Sequence, residues 1–280
     1  MRLATLCAAI ALAVPASALA QDAPPEDAGV LAGNHLTLGV GGFYGPSYEG
    51  SDDYTAFPVP LVRGRLFGID ITPRPGGIAL DLIPDAKDAK VGFSLGPVAN
   101  VRRDRVSRIK DPVVKTLGKL DTAVEVGANA GVTVYDLLTG YDSLTFSADA
   151  RWDVAGAHKG MLWGPSLSYF TPVSRGAAVS LSVGAEHMDR DYADYYFTVS
   201  PVGSVASGLP VFSADGGWKS MGANLLVGID LDGDLTNGGL ALFAVGGYTR
   251  LLGDAKRTPL TRLRGDADQW LAGGGLAFTF

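Results

Sequence analysis

The chain has 280 residues, a formal net charge of −6, 47% hydrophobic residues and 19% charged ones. An acidic balance argues against nucleic acid as a partner, and the lone cysteine, Cys7, leaves no disulfide or thiolate metal site for the chain beyond it. Beyond the N-terminal stretch no apolar run nears the length of a membrane helix. Charged residues nevertheless fall below the ~25% of a soluble chain, and the 38 glycines are about twice the usual ~7% share. That combination fits a chain that crosses a membrane with strands better than a soluble α/β enzyme.

The order of segments begins with a secretion signal over 1–20. Arg2 supplies its positive end, 3–14 its apolar stretch, and Ala18-Leu19-Ala20 a small-residue cleavage site. Cys7 lies inside this signal and not at its cleavage point, so it is not a lipid-accepting cysteine. A Pro/Ala/acidic lead-in over 21–32 has the composition of a disordered segment. The remainder, 33–280, reads as one domain.

Within it, period-two alternation predicts twelve strands: 35–43, 55–63, 65–72, 76–82, 91–103, 121–135, 142–154, 161–171, 177–187, 217–229, 239–251 and 270–280. In 121–135, Val124, Val126, Ala128, Ala130, Val132 and Val134 share one face; Asp121, Glu125, Asn129 and Thr133 share the other. In 142–154, Leu144, Phe146, Trp152 and Val154 oppose Asp149, Arg151 and Asp153. Globular strands have a mode of about 5–6 residues; a tilted strand of about 9–11 crosses a bilayer core. The closing segment places Trp270, Leu276, Phe278 and Phe280 on one face and carries no charge, as an outer-membrane strand with interfacial aromatics does. The two weak strands, 65–72 and 76–82, are interrupted around Pro73 and Pro75. The predicted fold class is therefore all-β: a closed antiparallel transmembrane β-barrel of about twelve strands.

An even strand number leaves both barrel ends in the periplasm, with short turns inside and longer loops outside. The outer loops are then 44–54, 73–75, 104–120, 155–160, 188–216 and 252–269. The inner turns are residue 64, 83–90, 136–141, 172–176 and 230–238. Tyr195 to Ser200 reads as a local strand within the longest loop. Asp121, Glu125, Asp149, Arg151, Asp153, Glu186 and Arg102 point inward, because charges facing lipid are costly. A twelve-stranded lumen lies between the filled and the open sizes, so it is either a narrow water-filled pore or a plugged interior.

Catalytic candidates centre on His35, His158 and His187. His187 with Asp189, Asp191 and Ser213 can be drawn as a hydrolase site, but the spacing does not support it and no GxSxG occurs; ordinary interfacial histidines are the favoured reading. Asp230, Asp232 and Asp234 alternate as calcium ligands do, without the rest of a calcium loop, and read as a solvated turn. Glu49 to Asp53 forms another acidic loop. The basic run Arg102, Arg103, Arg105, Arg108 and Lys110 suits either lipopolysaccharide phosphates or a solvated loop. The expectation is no enzyme, no catalytic residue, no cofactor and no metal.

Three stretches carry a resemblance: Gly45-Pro-Ser-Tyr-Glu-Gly-Ser-Asp-Asp-Tyr54 with Pro58-Val-Pro-Leu-Val62; Ala206-Ser-Gly-Leu-Pro210 running to Gly216-Gly217; and Tyr248-Thr-Arg-Leu-Leu-Gly-Asp-Ala255 with Pro259 and the closing strand. Together they resemble the MltA-interacting protein/OmpV family (MipA/OmpV) of Gram-negative outer-membrane proteins. The resemblance implies an outer-membrane barrel among lipid and lipopolysaccharide. It also implies a scaffold role, linking a periplasmic lytic transglycosylase to a penicillin-binding murein synthase, with a porin-like channel or a surface adhesin as the alternative. It supplies no catalytic motif.

Overall fold

The computed structural model describes residues 29–86 and 89–280. The expected signal, 1–20, lies outside the described residues. Of the lead-in, Val30–Ala32 is a short 3₁₀ turn rather than a disordered one, because the Val30 N–H is taken up by the Thr236 carbonyl at 2.8 Å.

Twelve strands close a barrel: β1 His35–Pro46, β2 Tyr54–Leu66, β3 Ile69–Arg74, β4 Gly77–Asp81, β5 Val91–Arg102, β6 Ala123–Tyr135, β7 Ser143–Asp153, β8 Met161–Ser174, β9 Ala177–Met188, β10 Gly217–Asp230, β11 Gly239–Leu251 and β12 Asp268–Thr279. Each strand pairs antiparallel with its sequence neighbours, and β1 pairs with β12 to close the ring. Leu36 and Phe280 exchange both backbone hydrogen bonds at that seam, at 2.9 and 3.0 Å. At this seam the backbone polar groups of β1 and β12 are satisfied inside the wall.

The alternation read from the sequence sorts the two faces. Val40, Phe93, Phe146, Leu181, Leu225, Leu242 and Leu276 point outward and are exposed, Val40 to 62%. In water this belt would be a large unsatisfied apolar surface; in a bilayer it is the solvated one. Trp152, Trp163, Trp218 and Trp270 stand near the strand ends on the loop-bearing side, where amphipathic rings meet the membrane interface. Among the described residues no helix is long and apolar enough to cross a membrane.

The structure corrects four local expectations. The first inner turn is not at residue 64. Gly64 stays in the ladder opposite Leu36 and Ile71, and the chain reverses at Phe67–Gly68, both at positive φ (55° and 80°), the geometry of a tight primed hairpin. Asp121 is not in the lumen: β6 starts at Ala123, and the exposed Asp121 donates its N–H to the Tyr195 hydroxyl. Residues 195–197 are helix rather than strand, and only Val199 makes an isolated bridge, to Phe212. Finally, β3 and β4 are barrel strands but pair only in part: β2 meets β3 over Gly64–Leu66, and β4 meets β5 over Gly77–Ala79. Pro58, Pro60 and Pro73 lack the N–H a longer ladder would need. The 103–122 loop bridges that edge, with the Lys110 ammonium on the Tyr54 carbonyl and the Arg108 guanidinium 5.5 Å from the Phe57 ring centre.

Candidate functional site: a capped, two-sided lumen

The long loops do not hang free. They fold into five short helices over the loop-bearing mouth: α1 Pro112–Lys115, α2 Arg190–Phe197, α3 Pro201–Ser207, α4 Gly253–Arg257 and α5 Pro259–Arg262. Four begin on a side-chain cap, Asp111, Asp189, Ser200 and Thr258, each accepting an N–H from the first turn. Tyr192, Ala193, Tyr196 and Phe197 share one face of α2 at helical spacing, which is why this segment is not the strand its aromatics suggested. That face packs on Leu162, Met188, Leu251 and Ala255. A second cluster joins Tyr48, Val114, Val199, Leu209 and Leu260 from four loops. Each fully buried large apolar side chain contributes about 1.5–3 kcal/mol, so the cap is a packed lid with its own core.

Beneath the lid lies a knot of charge. Glu125 of β6 is fully buried. Its carboxylate accepts from Arg102 Nε at 2.6 Å and from Asn100 Nδ2 at 3.1 Å, and lies 3.5 Å from Arg151 Nη1 and 3.4 Å from His158 Nε2. Glu186 of β9 pairs with Arg151 and, at 2.5 Å, with Lys219 Nζ. Lys219 also meets Glu49 at 2.7 Å. Three carboxylates thus face three cations, from five strands and one loop, and the net charge is neutralised in place. Lys219 reaches this knot because the β9–β10 register shifts between Trp218 and Ser220; the extra residue of a β-bulge re-aims one side chain. The Gly160 N–H donates to His158 Nδ1, so the neutral ring carries its proton on Nε2, toward Glu125. The Tyr192 ring sits edge-on to His158 at 4.9 Å and takes both Arg102 and Lys219 on its face. Buried ion pairs of this kind do little for net stability but fix which groups meet.

Asp104, in the loop after β5, makes the lid pH-sensitive. Its carboxylate accepts the Glu49 N–H at 2.7 Å. Burial, followed by the nearby Glu49 charge, pushes its pKa up to about 6. An unfolded aspartate titrates near 3.9, so the folded lid holds the proton more tightly. The stabilisation is complete below about pH 4 and is lost as pH rises through about 6. Relative to Asp104→Asn, the wild-type chain is expected to lose thermal resistance between pH 4 and pH 6. The midpoint of the heat-dependent gel shift measures this; parallel profiles for the two proteins would refute it.

Below the lid the lumen has two unlike walls. On the β6–β9 side, hydroxyls pair across strands: Thr133 with Thr145 at 2.9 Å, Ser147 with Ser166 at 2.8 Å, and Ser168 with Ser182 at 2.8 Å. On the β1, β2, β11 and β12 side the inward residues are Phe43, Phe57, Val59, Leu61, Phe243, Val245 and Leu271. The Phe43 ring is 6.3 Å from Phe57 and 6.4 Å from Phe243. It lies flat over its register partner Gly273, where a Cβ would meet the ring at 2.6 Å. A ring over a cross-strand glycine covers bare backbone and keeps the ring against the wall. The inward Arg63, Gly184 and Asn224 are exposed, so the lumen is not filled at their level.

The residues singled out from sequence fall in different places. Glu125, Arg151, Glu186 and Arg102 come together in the charge knot, whereas Asp149 accepts from Arg74 and Asn129 lower in the wall, and Asp153 pins the 154–160 loop. His187 faces outward, stacked on Trp163 at 5.4 Å and against Trp218 at 5.6 Å. Asp189, its supposed partner, caps α2, and Ser213 is an exposed loop residue. His35 bonds the Gly33 carbonyl at the opposite rim. Asp230 accepts the N–H groups of Asp232, Gly233 and Asp234, which makes that segment a self-satisfied turn. The basic run splits. Arg102 and Arg105 turn inward, Arg105 onto the Tyr196 carbonyl, while Arg103 is exposed. Glu49 likewise turns inward, onto Lys219. Sequence reading passed over Glu49, Asn100, His158, Tyr192 and Lys219 as members of one site, since each comes from a different strand or loop.

A closed antiparallel barrel with an apolar outer belt, tryptophans at one rim and charges kept inside defines a transmembrane β-barrel of the outer-membrane type. The chain belongs to the family described as MltA-interacting protein MipA, whose model matches residues 38–280. No curated protein sequence matches it. Among solved structures it is similar to the outer membrane protein OprD from Pseudomonas aeruginosa, at 13% identity and a TM-score of 0.37, over 88% of this chain and 65% of that one. It is also similar to the Pseudomonas putida toluene transporter TodX, at 9% identity and a TM-score of 0.38, over 88% and 89% of the two chains. The chain therefore spans just under two thirds of the length of the OprD chain.

Proposed function

We propose that the barrel is a non-enzymatic, non-conducting outer-membrane anchor. It holds a murein-cleaving lytic transglycosylase, and through it a penicillin-binding murein synthase, against its periplasmic rim. The family description, MltA-interacting, supports a partner of this kind. The observation that carries the reading is the asymmetry of the two ends. The loop-bearing mouth is closed by a packed lid, whereas the opposite rim presents apolar turn tips: Phe67 at 88% exposure, Leu138 at 76%, and Leu137, Ile83 and Leu231. Short turns are enough for docking when their tips are apolar anchors, since a few buried side chains carry most interface energy.

The double variant Phe67→Ser/Leu138→Ser is expected to weaken capture of a purified MltA-type transglycosylase at least tenfold, about 1.4 kcal/mol, while leaving the barrel folded. Surface-immobilised wild-type and variant barrels give the comparison, and unchanged affinity would remove the rim from the account. A porin-like channel is the second reading. It draws support from the hydroxyl-lined wall and the exposed Asn224 in the lumen.

A further inference from the structure

Arg63 is the inward-facing cation that the rest of the lumen does not use. It sits on β2 opposite Thr37, three residues from the end of the strand at the rim away from the lid. Among the described residues its guanidinium makes no ion pair and no hydrogen bond, and it is exposed. Its nearest acid, Asp70, is held by both Nε and Nη2 of Arg65, at 2.7 and 2.8 Å. Asp85, further off, accepts from the Phe93 N–H at 3.2 Å and from the Tyr135 hydroxyl at 2.5 Å. From Arg63 toward the lid the inward residues of the same strand are Leu61, Val59 and Phe57, all half-buried and all apolar, and Phe43 lies beside Phe57. Six residues of strand span about 20 Å. A strand lining a water-filled lumen has no reason to carry such a strip, because apolar surface left in water forgoes about 25 cal/mol per Å².

We propose that the lumen below the lid is a binding cup for an amphiphilic monoanion. Its alkyl or aryl tail lies along Leu61, Val59, Phe57 and Phe43, and its anionic head is on the Arg63 guanidinium at the open mouth. The opposite, hydroxyl-lined wall keeps its own hydrogen bonds satisfied and tolerates water alongside the tail. A carboxylate accepts both fork N–H groups of an arginine, which a point cation cannot match. The lid fixes how far the tail can enter, so chain length is selected as well as charge. This cup is independent of the docking rim: neither needs the other.

The probes are laurate, dodecylamine and dodecanol, each offered to the refolded chain in non-ionic detergent and read as bound mass by native mass spectrometry. Laurate is expected to be retained at least tenfold better than dodecylamine. Arg63→Gln is expected to remove that preference, Arg63→Lys to restore part of it, and Arg103→Gln, on the exposed loop, to leave it unchanged. Leu61→Ser tests the tail without touching the charge and is expected to lower retention of both laurate and dodecanol. Heat-dependent gel shifts establish that each variant is folded. Equal retention of laurate and dodecylamine, or laurate binding unaffected by both Arg63→Gln and Leu61→Ser, overturns the proposal. So does the absence of binding by any probe. If laurate binds only after residues 21–28 are deleted, the cup belongs to that acidic segment of the chain and the proposal likewise fails.

Discussion

Glu125→Ala is expected to open the lid. Glu125 is the one acid in the knot with no exposure, and it holds Arg102, Arg151, Asn100 and His158 at once. Its removal leaves Arg102 and Arg151 with only Glu186 between them, their side chains 16% and 11% exposed. Breaking one side of a buried pair costs about 3–5 kcal/mol, mostly from the charge left behind. The loop helices above it are held by packing and caps rather than by strand ladders of their own, so the loss falls on the lid rather than on the barrel wall. Two readouts should move together: the gel-shift midpoint falls by several degrees, and a planar bilayer holding the variant shows current steps. Glu125→Gln/Arg151→Met should recover much of the loss, because it removes one charge of each sign. A silent Glu125→Ala barrel with a wild-type midpoint would mean that the lid rests on its apolar clusters alone.

Gly275→Val is expected to prevent the barrel from closing. Gly275 pairs with Gly41 across the β1–β12 seam, where a Cβ would fall inside the contact distance of the Val40 carbonyl and the Gly41 Cα. Both are backbone atoms, so no rotamer change relieves the clash. Gly42→Ala is the control: it lies on the partner strand one residue from Gly41, faces outward, and a Cβ there meets nothing within 4 Å. Folded, heat-modifiable protein should be nearly lost for Gly275→Val and unchanged for Gly42→Ala. Equal yields from the two would show that the seam tolerates side chains on its inner face.

The same geometry explains what the sequence could and could not disclose. The long strands were legible because a membrane imposes one rule on every outward residue. Val124, Val126 and Val132, or Leu144, Phe146 and Trp152, therefore repeat at period two over the whole bilayer depth. Turn positions were less legible where a glycine such as Gly64 lies inside a strand rather than at its end. The 195–200 segment misled because Tyr195, Tyr196 and Phe197 satisfy a strand-like aromatic bias, and only the Asp189 cap and the packing against Met188 and Leu251 select the helix. The charge knot was half visible. Alternation alone sends Glu125, Arg151 and Glu186 inward, but Lys219 enters by a bulge and Glu49 by a loop fold, and neither leaves a periodic trace. Inward charge is also not by itself the mark of a channel, since three of the inward carboxylates and three cations neutralise one another beneath the loop helices.

A lid that closes the lumen at one end leaves the barrel silent, and single-channel recording of the refolded chain in a planar bilayer tests this most directly. A folded wild-type barrel, verified by its gel shift, should give no steady steps under conditions in which Glu125→Ala does. Stable, ion-selective steps from the wild-type protein would contradict the closed lid and put the channel reading in place of the anchor.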